Sequence, residues 1–124
     1  MVQTDIAQYS TECTDWLNNL RHFREEFQEC QKKLQQITTR RPLTKEQLKE
    51  VDHFYNQFEI QLTNIHHLKQ AIKAHGRTIL DSSRDILEED NAAYHEDLFD
   101  QYTVLENTLQ EVRHHFQQFI SQLN

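Results

Sequence analysis

The chain has one glycine, Gly76, and one proline, Pro42, in 124 residues, where average usage supplies roughly 8 and 6. So few turn-forming residues exclude the frequent tight turns that a β architecture needs. No apolar run approaches the ~18 residues of a membrane span, so no insertion into a membrane is expected. Met1–Ser10 lacks the basic and apolar stretches of a secretory leader, and none is expected. The only cysteines, Cys13 and Cys30, lie on one predicted helix, roughly 25 Å apart along its axis. A disulfide needs Cα atoms within about 7 Å, so both are expected as reduced thiols, which fits a cytoplasmic setting. No basic stripe is present to neutralise a phosphate backbone, which disfavours nucleic acid as a partner. CxxC, HExxH, glycine-rich phosphate loops and the GxSxG elbow are all missing. No catalytic or cofactor-binding residue can be named, no cofactor is expected, and the chain reads as a non-enzyme.

The residues that are abundant favour helix: Gln, Lys, Arg, Glu and Leu fill most positions. Val2, Ile6, Tyr9, Cys13, Trp16, Leu20, Phe23, Phe27, Cys30, Leu34 and Ile37 follow 4-3-4-3 spacing without interruption, a heptad seam sustained over the first helix. Pro42 ends it, because the residue before a proline is pushed out of the α region. Thr44 and Gln47 form a capping box for the second helix, with Leu43 and Leu48 as its hydrophobic staple. The second seam reads Leu48, Val51, Tyr55, Phe58, Leu62 and Ile65, then Leu68, Ile72, His75 and Ile79. The two consecutive three-residue steps around Ile65 predict a local overwinding of the coil. A break is expected near Glu88–Asn91, with Asp81–Ser83 as an earlier alternative. Tyr94, Leu98, Tyr102, Leu105, Leu109, Val112, Phe116, Phe119 and Leu123 form the third seam.

These patterns predict an all-α fold and a single domain over residues 1–124. It is an elongated antiparallel three-helix bundle, up-down-up with coiled-coil-like packing, and its helices lie near 2–39, 44–87 and 91–124. The topology, with Trp16 on the first helix, resembles a spectrin-type three-helix repeat. That resemblance implies the topology and carries no function.

Charge and histidine supply the functional hints. The net charge of −7 is unevenly spread. Residues 1–80 hold 10 acids and 11 bases, whereas residues 81–124 hold 10 acids with only Arg84 and Arg113. The bundle is therefore expected to be an electrically polar rod, suited to steering a partner. Eight histidines are present. Glu-x-x-His, the helical motif of di-iron bundles, occurs at Glu50/His53 and Glu111/His114, but both pairs flank the apolar seams. His66, His67, His114 and His115 are expected to lie close in level and form a histidine-rich layer. No residue is assigned as a metal ligand, since a solvated flank explains most of these histidines and no two stand at i, i+4.

Two functions compete. The first is a non-enzymatic helical interaction or scaffold module, acting through a homodimer or by receiving a protein partner's helix. The second is a metal- or small-ligand-binding bundle built on the histidine-rich layer. The candidate partner-binding patch for the first comprises Phe54, Ile60 and Ile120 beside the basic residues Lys45, Lys49, Arg40 and Arg41. Leu17, Leu43, Ile86, Phe99 and Val104 are further apolar residues left off the seams.

Overall fold

The computed structural model describes residues 6–81 and 89–123. Among them are three helices and no strand: α1 (Ile6–Arg40), α2 (Lys45–Leu80) and α3 (Glu89–Leu123). Each runs to roughly 53 Å. Side-chain pairs fix the direction of each helix. Phe27 of α1 meets Phe58 of α2, while Cys13 lies near His75, so these helices are antiparallel. Phe54 meets Phe116 and His75 meets His95, which makes α2 and α3 antiparallel. Asn19 meets Tyr102 and Glu26 meets Arg113, so α1 and α3 run parallel. The expected up-down-up bundle is the fold observed.

The entry to α2 is built as its sequence dictates. Thr44 Oγ1 accepts from Gln47 N at 3.1 Å, and Thr44 N donates to Gln47 Oε1 at 2.9 Å. This reciprocal pair satisfies two backbone donors that helix geometry leaves without partners. Leu43 packs against the core, whereas Leu48 stays 45% exposed and is no core residue. α2 ends at Leu80, capped by Asp81 with φ −78° and ψ −6°, which matches the earlier of the two expected breaks. Residues 82–88, and with them only Glu88 of the break expected at Glu88–Asn91, lie outside the described residues. α3 is already helical at Glu89, so Asn91 sits inside the helix rather than capping it.

The core corrects two seams. α1 buries Tyr9, Cys13, Trp16, Leu20, Phe23, Phe27 and Leu34, all on the expected positions. α2 buries Val51, Phe54, Phe58, Gln61, Ile65, Leu68, Ile72, His75 and Ile79. This is an uninterrupted 3-4 alternation, so the expected overwinding is absent. Phe54 and Gln61 hold the positions given to Tyr55 and Leu62, which lie half-buried beside them. α3 likewise places His95 on the seam, 3% exposed, and turns Tyr94 outward at 43%. The heptad geometry is intact, and it carries polar residues at three of its core positions.

Candidate functional site

The proposed partner-binding residues separate into three groups. Phe54 is a correction: it is 3% exposed, with its ring centroid 5.2 Å from Phe116 and 5.4 Å from Phe119, so it belongs to the core between α2 and α3. Ile60 is exposed and stands apart from the rest. Ile120, Arg40 and Arg41 do converge. Together with Lys33, Ile37 and Leu123 they line a hollow of about 380 Å³ between the ends of α1 and α3. Arg41 Nη1 donates to the Leu123 carbonyl, which ties the end of α1 to the last turn of α3. Lys49 lines a different depression, with Glu46, Glu50 and Phe119. Lys45 is exposed. Of the other apolar residues left off the seams, Leu17 and Leu43 pack on the core, Phe99 and Val104 are exposed, and Ile86 lies outside the described residues.

The hollow opens on the face shared by α1 and α3, which also carries polar and aromatic contacts. Arg113 Nη1 donates to Glu26 Oε1 at 3.1 Å near its middle. Asn19 Nδ2 donates to the Tyr102 hydroxyl at 2.8 Å, and that hydroxyl donates to Glu106 Oε2 at 2.8 Å. At the far end of the face stands Phe99, 49% exposed and 5.9 Å from the Trp16 ring. Glu96, one turn away, is exposed, and Asp15 on α1 lies near Tyr102. One face thus carries an acid-flanked aromatic at one end and a base-rimmed apolar hollow at the other.

Tyr102 gives this face a pH signature. Burial is the main cause that pushes its hydroxyl up to about 12. The hydrogen bond from Asn19 opposes it, and the hydrogen bond and charge of Glu106 and then the charge of Asp15 raise it further. The unfolded chain therefore loses this proton first as pH rises. The stabilisation is complete below about pH 10 and is lost as pH climbs toward about 12, an effect of about 2–3 kcal/mol. Alkaline denaturation of Tyr102→Phe should be shallower than that of the parent over this window. An unchanged slope would mean that the hydroxyl is solvated.

The four histidines of the expected layer do not form one. All are exposed; the His66 ring lies against His67 and the His114 ring against His115, with no ring contact between the two pairs among the described residues. The pairing of Phe54 with Phe116 and of His75 with His95 sets His66 level with about residue 104. That leaves His114 roughly two to three turns away. Glu50, His53 and Glu111 are exposed as well.

A different polar cluster lies in the core, and the sequence reading missed it. Cys13, His75 and His95 are 4%, 2% and 3% exposed, one from each helix. Their donor atoms all lie within 4.8 Å of one another. His75 Nε2 is 2.9 Å from His95 Nδ1, and His95 Nε2 is 3.2 Å from Glu12 Oε1. Tyr9 stacks on His95 at 3.9 Å and 13°, Trp16 tilts over the same ring at 4.8 Å, and Tyr94 meets His75 edge-on. Glu12 is acceptor-only when ionised, so His95 donates from Nε2 and keeps a lone pair on Nδ1. His75 then donates from Nε2 to that lone pair. Burial, with His95 beside it, pushes the His75 imidazole below its ordinary range, so it is neutral near pH 7. Burial and then Glu12 push the Cys13 thiol up to about 11, which argues against a thiolate nucleophile. The sequence signal was present in the spacing. His95 completes the α3 heptad as well as Tyr94 does, with Leu98 three residues on.

Comparison with protein families, with characterised proteins and with solved structures gives no match.

Proposed function

We propose that the chain is a non-enzymatic helical interaction module that self-associates as an antiparallel pair through its α1–α3 face. The observation behind this reading is the self-complementarity of that face. A two-fold axis across it sets Phe99, flanked by Glu96 and Asp15, against the Ile37–Ile120–Leu123 hollow rimmed by Lys33, Arg40 and Arg41. The same contact then forms twice, as an isologous interface requires. Residues 99 and 120 are roughly 31 Å apart along α3. A strip of that length and two helices wide covers roughly 600 Å² per copy, the lower end for a specific interface. Association is therefore concentration-dependent, and salt weakens it by screening the exposed charges.

Sedimentation equilibrium tests the reading. The parent chain should show a monomer–dimer equilibrium that shifts toward monomer at high salt. Phe99→Ser should raise its dissociation constant roughly 30-fold, as an aromatic anchor leaving a hollow does. Val104→Ser, on the opposite flank of α3 and 67% exposed, should leave it unchanged. A parent chain that stays monomeric at the highest attainable concentration contradicts the proposal.

A further inference from the structure

We propose that Cys13, His75 and His95 form a binding site for a zinc ion, held by the Cys13 thiolate, His75 Nε2 and His95 Nδ1.

Three observations point to an ion rather than to a merely satisfied polar pair. The first is the donor set. One sulfur and two imidazole nitrogens, each from a different helix, suit a borderline metal such as zinc. The second is spacing. Tetrahedral bonds of ~2.0 Å to nitrogen and ~2.3 Å to sulfur give N···N and S···N edges of roughly 3.3 and 3.5 Å. The two imidazole nitrogens already stand 2.9 Å apart, and all three donors are within 4.8 Å. Side-chain adjustments on the order of 1 Å complete the set. The third is Glu12, whose carboxylate at 3.2 Å holds the far nitrogen of His95. A ligating histidine with its second nitrogen donating to a carboxylate is a recurrent arrangement around zinc, where it fixes the ring and its tautomer.

The protons balance without a co-reactant. As the ion enters, Cys13 releases its thiol proton to solvent, and His75 exchanges its Nε2 proton for one on Nδ1. His95 keeps the proton it shares with Glu12. Three protein ligands leave one tetrahedral position for water or an exogenous ligand, and Tyr9, Trp16 and Tyr94 wall the site.

The test is a titration of the chelator-treated, full-length chain with Zn²⁺ by calorimetry, and with Co²⁺ followed by absorption. The expected result is one ion per chain and a thiolate-to-cobalt charge-transfer band. Cys13→Ser should abolish the band, His95→Gln should weaken Zn²⁺ binding at least 100-fold, and Glu12→Gln should weaken it roughly 10- to 100-fold. A chain with His66, His67, His114 and His115 all changed to Gln should bind as the parent does. Should a ligand variant fail to fold, the parent chain still answers. Zn²⁺ should protect Cys13 from alkylation and leave Cys30, half-buried on the same helix, at its metal-free rate. Absence of 1:1 binding, binding lost with the exposed histidines, or equal alkylation of Cys13 with and without Zn²⁺ would each overturn the proposal.

Discussion

Phe54→Glu is expected to unfold the bundle. Phe54 is 3% exposed and touches the rings of Phe58, Phe116 and Phe119. Removing a buried ring costs about 3–5 kcal/mol. The new carboxyl must in addition shed water or stay protonated with no partner among those rings. The combined cost exceeds about 5 kcal/mol, enough to remove most of a typical domain's stability of about 5–15 kcal/mol. Circular dichroism should show loss of helix at room temperature. Ile60→Glu, at an exposed position, should change stability by no more than about 0.5 kcal/mol. If Phe54→Glu stays folded, Phe54 belongs to a surface patch and the α2 seam runs through Tyr55.

Phe27→Ala should cost about 3–5 kcal/mol without abolishing the fold. Phe27 is 0% exposed at mid-bundle, 5.3 Å from Phe58 at 64° and 6.3 Å from Phe23 at 84°. Both are edge-to-face contacts, so the substitution removes favourable ring geometry along with buried area. At fixed protein concentration the midpoint of thermal unfolding should fall by roughly 10–20 °C. Leu48→Ala, at 45% exposure, should lower it by only a few degrees. A loss below about 1 kcal/mol for Phe27→Ala would mean that α1 presents another stripe to the core.

α1 was legible almost residue by residue, because its seam is apolar throughout and a sustained heptad repeat leaves one inward stripe. The α2 and α3 errors share a cause. A seam chosen for hydrophobicity skips Gln61 for Leu62 and His95 for Tyr94, whereas helical geometry needs only the 3-4 spacing. Followed strictly from Val51, the spacing selects Phe54 and Gln61 and removes the apparent overwinding. The buried cluster was hidden for a related reason. His75 and His95 are twenty residues apart and on different helices, and only the register across the α2–α3 turn brings them together. A register displaced by two turns paired His66 with His114 instead. The hollow at Arg40, Arg41 and Ile120 was partly legible, since Pro42 and the parallel course of α1 and α3 bring those segments to the same end. Its apolar floor of Ile37 and Leu123 was absorbed into the seams. Phe99, its proposed counterpart, stood among the off-seam residues with no face assigned.

Reversing charge at one end of each of two chains tests the proposed antiparallel pair most directly. One variant carries Arg40→Glu and Arg41→Glu, which makes both ends of the α1–α3 face acidic. The other carries Asp15→Lys and Glu96→Lys, which makes both ends basic. All four positions are exposed, so both variants should fold. Sedimentation velocity at low salt should find each variant monomeric alone, because like charges then meet at both contacts of the pair. Their equimolar mixture should sediment as a dimer, because every basic end then faces an acidic one. A mixture that stays monomeric under conditions where the parent chain dimerises, or variants that dimerise alone as the parent does, would contradict the proposed interface.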